Sequence, residues 1–123
     1  MYPQVQVARF PELWGQIMSD ESAPVMLVVF RRWPRSSGGD IIALFPAQPA
    51  DYLGRFCDAY EHVGQHGGAD YHGVVQVTKP VSDDEAADLI RELERIGYRL
   101  KPIKRASRKH HDARRAAARA VTA

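Results

Sequence analysis

Short apolar runs separated by turn-forming residues make up the first half of the chain. Val25–Phe30 and Asp40–Phe45 are rich in β-branched residues and have the length of strands. Because Pro34–Gly39 supplies turn-forming residues, we expect the two runs to pair as a hairpin, with the first run as a central strand. The second run should end at Pro46, since proline donates no hydrogen bond, and residues 46–51 should form a surface connection.

Two further strands are predicted on either side of a glycine-rich segment in the middle of the chain. One runs from about Arg55 to His62, and the other runs from Tyr71 to Thr78, where three valines favour the pleated state. We expect a hairpin symmetric about His66, in which side chains alternate between two faces. The polar face holds Asp58, Tyr60, His62, Asp70 and His72. The opposite face, which we expect to join the core, holds Cys57, Ala59, Tyr71, Gly73 and Val75.

The second half of the chain contains the clearest helical pattern. Ser82-Asp83-Asp84-Glu85 matches a capping box, in which the serine oxygen accepts from the Glu85 amide and Glu85 reaches back to the Ser82 amide. Gly97 stands where a left-handed C-terminal cap is needed. The apolar stripe between these signals comprises Ala86, Leu89, Ile90, Leu93 and Ile96. The pattern therefore predicts an amphipathic helix over residues 83–96.

These elements predict an α+β fold that forms a single domain over residues 1–103. An antiparallel sheet of about four strands is packed by the long amphipathic helix, with a shorter helix over 10–18 and a short strand over 98–101. Residues 104–123 are expected to be a basic C-terminal extension, a helix or tail, because alanines supply helix propensity without an apolar stripe.

The composition narrows the class of protein. No apolar run approaches the roughly 18 residues that a membrane-spanning helix needs, which excludes a membrane-embedded protein. The N-terminus lacks the pattern of a secretory signal, and a single cysteine cannot form an intramolecular disulfide. We therefore expect a cytoplasmic protein.

Charge is distributed unevenly along the chain, although the net charge is only +2. Residues 1–98 carry 8 Lys and Arg against 14 Asp and Glu, whereas residues 99–123 carry 9 Lys and Arg against Asp112 alone. Such a basic segment binds phosphate backbones by releasing counterions, so a nucleic acid or another acidic partner is expected. The candidate contacts are Lys101, Lys104, Arg105, Arg108, Lys109, Arg114, Arg115 and Arg119.

One feature of this basic tail limits that expectation, and its composition leaves an alternative open. The tail contains no aromatic residue on which a base could stack, and Tyr98 is the nearest one. A solvated, partly disordered terminus that serves solubility or lies on the acidic body is the alternative that the composition leaves open.

Residues capable of chemistry are concentrated between Cys57 and His72. An enzyme would use His62 or His66 as a general base oriented by Asp58 or Asp70, with Tyr60 on the same face as a further catalytic candidate. A metal-binding protein would draw its ligands from His62, His66, His72 and Asp70. We expect no cofactor and no metal, because this spacing matches no established ligand motif. In the structural alternative, His62 and Asp70 form a cross-strand pair and the glycines shape the turn.

Several short motifs surround this central segment. They are Ile42-Ala43-Leu44-Phe45-Pro46, Cys57 with Tyr60 and His62, Gly64-Gln65-His66-Gly67, Thr78-Lys79-Pro80, and Glu92-Leu93 followed by Ile96-Gly97-Tyr98. Together they resemble a small uncharacterised family of short bacterial proteins over residues 28–100. The resemblance implies that the glycine–histidine segment helps to define that family, and it carries no activity, cofactor or catalytic residue to this chain.

The sequence favours a small non-enzymatic cytoplasmic protein that binds a polyanion, nucleic acid first, through its basic tail. The alternative is a small enzyme or metal-binding protein that uses the histidines and aspartates around Gly64–Gly68. Cys57 is expected to be a small buried hydrophobic residue rather than a nucleophile.

Overall fold

The computed structural model describes residues 25–61 and 65–122. The strands of this part are β1 Met26–Arg32, β2 Ile41–Pro49, β3 Cys57–Glu61, β4 Gln65–Ala69, β5 Lys79–Pro80 and β6 Leu100–Pro102. The α-helices of this part are α1 Tyr71–Val77, α2 Ala87–Arg95 and α3 Arg108–Thr122. The predicted α+β class is confirmed, but the sheet has six strands rather than four and is packed by more than one helix. The helix predicted over 10–18 lies outside the described residues, as does His62.

Strand β1 occupies the middle of the sheet, as its continuous apolar run predicts. The strand order is β4-β3-β2-β1-β5, and β6 also pairs with β1. The predicted β1–β2 hairpin is confirmed, with Arg32 opposite Ile41. The sheet is mixed rather than antiparallel, because β6 runs parallel to β1 while the other pairs are antiparallel.

Both faces of the sheet are covered, which corrects the prediction of a polar face on β3. One core lies between the sheet and α2, where Val28, Phe45 and Tyr60 pack with Leu93. The other core includes Cys57 and is packed by residues of α1 and of the segment before α3. Tyr60 is only 2% exposed, so this member of the predicted polar face belongs to the first core. Strands buried on both faces have continuous apolar runs, as β1 and β2 do.

Strand β2 continues past the proline that was expected to end it. It runs to Pro49, and its pairing with β3 shifts between Phe45 and Pro49. Such an irregularity releases the strand from the regular hydrogen-bond ladder, so a proline is tolerated there. The expectation of a surface connection over 46–51 is therefore wrong, because Pro46, Pro49 and Ala50 are buried.

The hairpin of β3 and β4 has a different register from the predicted one. Tyr60 lies opposite His66 and Asp58 lies opposite Gly68, so the hairpin is not symmetric about His66. Gly67 and Gly68 belong to β4 and have no positive φ, so they form extended backbone and not the turn. Asp58 and Tyr60 therefore do not face Asp70 and His72 across the hairpin, contrary to the prediction from the symmetric register.

The segment predicted as the fourth strand is helix α1. Tyr71, Val74, Val75 and Thr78 follow helical spacing, and the first three pack into the second core. The low helix propensity of valine is only a weak preference, and tertiary packing overrides it here. Arg31 reinforces the helix end, because its guanidinium donates to the carbonyl oxygens of Val75 at 2.9 Å and Thr78 at 2.7 Å.

The capping-box bonds and Gly97 are both present, but helix α2 begins later than the predicted residue 83, and its N-cap Ala86 makes no side-chain hydrogen bond. The Glu85 amide donates to Ser82 Oγ, and the Ser82 amide donates to Glu85 Oε1, each over 3.1 Å. A turn separates this capping box from the helix itself, which begins at Ala87. At the other end Gly97 has a φ of 110°, a left-handed conformation that residues with a side chain rarely adopt. Ile96 is an exception to the predicted stripe, since it is 51% exposed.

Helix α3 packs against the sheet and contacts β2. Its buried residues are His111, Arg114 and Ala118. The basic segment after residue 103, predicted to have little to bury, is therefore docked on the sheet. The polar side chain of Arg114 holds it there in place of an apolar stripe. The domain boundary placed after residue 103 stays a prediction. No helix in residues 25–61 or 65–122 has the length and apolar composition needed to cross a membrane.

The packing of α2 makes a prediction about stability. Replacing Leu93 by alanine should lower the free energy of unfolding by about 2–5 kcal/mol, because its side chain is fully buried. Replacing Ser82 by alanine should cost about 1 kcal/mol, because the Glu85 amide in the turn before α2 loses its acceptor. The control Ile96→Ala should change the free energy by less than about 0.5 kcal/mol, since this side chain is exposed. Urea unfolding measures all three, and equal effects of Leu93→Ala and Ile96→Ala would contradict the packing.

Candidate functional site

The candidate site residues of the central segment fall into two groups. His66 lies on β4 opposite Tyr60 and beside Tyr98, whereas Asp70 precedes α1 and His72 lies within it. The ring of His72 contacts the rings of Tyr71 and His111. His66 and His72 therefore belong to different neighbourhoods. Within the ranges that the structure describes, no three His, Cys, Asp or Glu side chains form a group that could hold a metal ion.

The first group links the β3–β4 hairpin to the end of α2. His66 Nε2 lies 3.1 Å from Tyr98 Oη, and the rings of Tyr60 and His66 meet edge to face at 4.7 Å. The hydroxyl of Tyr60 donates to Glu92 Oε2. Phe45 stacks on Tyr98 with 5.3 Å between ring centroids. These contacts connect the hairpin with α2 through side chains that sequence reasoning did not bring together.

Burial determines the protonation of this first group at neutral pH. Although His66 is exposed, partial desolvation of its ring lowers its pKa below the ordinary value, so the imidazole is neutral. Burial, followed by the negative charge of Asp58, raises the pKa of Tyr98, so its hydroxyl keeps its proton. A neutral imidazole beside a protonated hydroxyl makes an ordinary hydrogen bond. Sequence reasoning missed Tyr98 as a partner, and the only signal was its place directly after the Gly97 cap.

A surface cleft of about 460 Å³ lies along β4. His66 and Asp70, two of the predicted catalytic residues, both line it. Trp33 forms part of its wall, and the Trp33 indole donates to Glu61 Oε1 at 2.7 Å. An acid–base reaction that used His66 and Asp70 would take place in this cleft.

The second group extends from His72 through His111 to Arg114, and Arg114 anchors α3 to the sheet. This guanidinium is 3% exposed, and its Nε donates to the carbonyl oxygen of Gly54 at 2.8 Å. Its Nη1 donates to the carbonyl oxygen of Pro46 at 2.7 Å and lies 2.7 Å from His111 Nδ1. Arg114 was predicted to contact nucleic acid, but these three bonds are all internal. The residue fixes the helix and presents no charge to a partner at the surface.

The loop between β2 and β3 meets α3 at a very close approach. A Cβ atom on Gly54 would lie 2.8 Å from Arg115 Cα and 3.2 Å from Ala118 Cβ. Gly54 also has a φ of 72°, a conformation that side chains rarely adopt. Glycine is therefore required here, both for the backbone conformation and for the contact with the helix.

The histidine beside Arg114 is held in its neutral form. Burial, then the charges of Arg114 and His72, lowers the pKa of His111 to about 4. Neutral imidazole leaves Nδ1 as an acceptor for the Arg114 guanidinium. Burial also raises the pKa of the Cys57 thiol to about 12. Cys57 is therefore protonated and buried, which confirms its predicted role as a small hydrophobic residue.

With Arg114 turned inward, α3 presents a row of charged residues outward. Arg108, Asp112, Arg115 and Arg119 follow helical spacing and are all exposed. We call Arg108, Arg115 and Arg119 the arginine stripe. Asp112 lies 4.0 Å from Arg108 and 3.4 Å from Arg115. Ion pairs this exposed contribute little, so the stripe keeps a positive surface.

The remaining predicted basic contacts lie in the first turn of this helix or earlier in the chain. Lys101 belongs to β6, Lys104 and Arg105 precede α3, and Lys109 lies in its first turn. All four are exposed. The structure therefore places seven of the eight predicted basic residues at the surface and one, Arg114, inside.

Comparison with known proteins adds no further assignment. No family model, curated protein or solved structure matches this chain. The geometry and charge of the two groups are therefore the basis for assigning a function.

The His111–Arg114 contact predicts a pH dependence of stability. Because the pKa of His111 falls from its ordinary 6.5 to about 4 on folding, the unfolded chain binds the proton more readily. The contribution of neutral His111 to the free energy of unfolding is complete above pH 6.5 and is lost as the pH falls towards 4. His111→Asn keeps an acceptor near the Nδ1 position but does not titrate. Between pH 7 and pH 5 the wild type should lose about 1–2 kcal/mol more than this variant.

Urea unfolding at the two pH values measures this difference. His110→Asn is the matched control, because it removes a neighbouring imidazole that does not contact Arg114, while asparagine retains an acceptor for the Ser107 amide. The control should keep the pH dependence of the wild type. An identical pH dependence in wild type and His111→Asn would contradict the inward, neutral placement of His111.

Proposed function

We propose that this protein is a small non-enzymatic cytoplasmic protein that binds nucleic acid through the outward face of α3. The observation that carries the proposal is the anchoring of α3 by Arg114, which directs the arginine stripe away from the sheet. A docked helix offers its cations in a fixed arrangement, so less side-chain and backbone entropy is lost on binding than with a free tail.

The spacing of the stripe suits a phosphate backbone. Arg108 and Arg115 are seven residues apart and Arg115 and Arg119 are four apart, which corresponds to about 10.5 and 6 Å along a helix. The three guanidinium groups therefore span about 16 Å of the helix face, which is long enough to contact several phosphates of one strand. Guanidinium groups also pair with phosphate oxygens in a bidentate manner.

The charge distribution supports the same partner. The nine Lys and Arg of residues 99–123 stand against one Asp, and eight of the nine remain after the internal Arg114 is set aside. The rest of the chain carries an excess of six acidic residues, as 14 minus 8. An acidic body with one basic face directs a polyanion to that face.

The cytoplasmic part of the proposal rests on the cysteine. Cys57 is buried, and its thiol is unreactive because of its raised pKa. A lone buried thiol suits a reducing compartment, where disulfides do not stabilise proteins.

Acid–base chemistry in the β4 cleft is the second candidate function. His66 and Asp70 line that cleft, which favours it. Against it, His66 is hydrogen-bonded to Tyr98, and Tyr60 is buried with its hydroxyl bound to Glu92. Replacing His66 would remove such an activity and leave nucleic-acid binding unchanged, which separates the two functions.

The salt dependence of binding tests the proposal. Replacing all three residues of the arginine stripe by glutamine should weaken binding to an oligonucleotide. It should also lower the magnitude of the slope of log affinity against log salt by about 2–3, because each lost phosphate contact removes roughly 0.7–0.9. A control with the same change in net charge replaces three exposed arginines elsewhere, namely Arg35, Arg91 and Arg95.

Fluorescence anisotropy over a range of salt concentrations measures both slopes. The control should keep the slope of the wild type, because its arginines lie away from α3. Equal losses in the two triple variants would mean that net charge alone drives association, and the proposed interface would be wrong.

A further inference from the structure

The β2–β3 loop, residues 50–56, is closed by its own hydrogen bonds and is held against α3 by the Arg114 side chain. The Ala50 amide donates to the Phe56 carbonyl at 2.9 Å, and the Phe56 amide donates to Asp51 Oδ1 at 3.1 Å. These two bonds close the loop at its base. Arg114 binds the Gly54 carbonyl at its tip, so the same guanidinium holds both the loop and the helix.

This ordered loop exposes large apolar side chains. Tyr52 is 42% exposed, Leu53 is 63% exposed and Phe56 is 45% exposed. Elsewhere in the described part of the chain, the exposed large hydrophobic residues are Val25, Val77 and Ile96, and these come from separate elements. Half of the six thus fall within five consecutive positions, which makes the loop a concentrated apolar patch.

The patch lies next to the arginine stripe. Tyr52 and Phe56 are each two residues from Gly54, whose Cβ position is 2.8 Å from Arg115 Cα. At 3.8 Å between consecutive Cα atoms, the Cα atoms of both aromatic residues lie within about 12 Å of Arg115 Cα. Tyrosine, phenylalanine and arginine side chains are long enough to meet one ligand across that distance.

We propose that the ligand of α3 is single-stranded nucleic acid, with Tyr52 and Phe56 stacking on unpaired bases while the arginine stripe neutralises phosphates. This inference rests on the nucleic-acid binding proposed above and specifies the substrate class. Single-strand binding proteins combine a basic track with aromatic platforms, because every base offers a π face. In a duplex the bases are already stacked on one another, so an exposed aromatic ring on the protein gains little.

The outward face of α3 also argues against reading of a duplex. Base edges in the major groove are recognised by bidentate contacts from arginine, asparagine or glutamine that are free to enter the groove. The helix has no asparagine or glutamine with which to read adenine edges. The loop contributes apolar surface that a phosphate backbone would not cover.

The experiment compares one labelled oligothymidylate of about 16 nucleotides, near the upper length covered by single-strand binding domains, with a duplex of the same length. The full chain should bind the single strand at least about tenfold more tightly than the duplex at the same salt concentration. The variant carrying Tyr52→Ala and Phe56→Ala should lose about tenfold or more of its single-strand affinity, with an unchanged salt slope. Its duplex affinity should stay the same.

Two controls keep the result interpretable. The variant carrying Val77→Ala and Ile96→Ala removes two exposed apolar side chains elsewhere, and it should bind as the wild type does. Tyr52→Phe retains the ring and should also retain the affinity. Thermal unfolding should be unchanged in the double alanine variant, because both aromatic side chains are exposed.

The possible failures are distinguishable. Equal affinity for single strand and duplex, with no effect of the aromatic double variant, would overturn this inference and leave the basic interface intact. An equal loss of affinity for inorganic polyphosphate, which has no bases, would also overturn it. A wild type that binds neither oligonucleotide at low salt would overturn the proposed function together with this inference.

Discussion

One buried guanidinium determines how the last part of the chain folds. Helix α3 is rich in alanine and arginine, so it has little apolar surface with which to pack. Arg114 replaces that surface with hydrogen bonds to the carbonyl oxygens of Pro46 and Gly54. Burying a cation is costly unless its donors are satisfied, and these carbonyls together with His111 supply acceptors. The bond from Arg114 to Gly54 and the close packing of Gly54 on Arg115 bring the exposed aromatic residues of the β2–β3 loop near the arginine stripe.

Local signals were sufficient to predict the elements that depend on neighbouring residues. The continuous apolar run of β1 indicated a strand buried on both faces, and Pro34–Gly39 indicated the hairpin to β2. The Ser82–Glu85 capping box and Gly97 defined the ends of the α2 region. In each case the signal and the structure that it specifies lie within a few residues, so no knowledge of the tertiary contacts was needed.

The other elements are set by contacts between distant residues. Three valines favoured a strand at 71–78, but the burial of Tyr71 and the Arg31 contacts at Thr78 stabilise a helix. Within the site, the composition identified the basic residues and could not separate Arg114 from Arg115, which are chemically identical neighbours. The proximity of Tyr52 and Phe56 to α3 was missed for a similar reason, because they are about sixty residues from this helix in sequence. The spacing of His111, Arg114 and Ala118 places them on one face of a helix. That face could have been predicted as the buried one only if polar residues were accepted at core positions.

Hydrogen exchange along α3 tests the central claim most directly. In the wild type, amides of residues 112–118 should exchange far more slowly than those of an unstructured peptide, because the helix is docked. Arg114→Met keeps the length of the side chain but removes its donors, leaving the carbonyl oxygens of Pro46 and Gly54 without them. Protection of α3 should then be lost while the amides of β1 stay protected. Full protection of α3 in the methionine variant, or none in the wild type, would contradict the account.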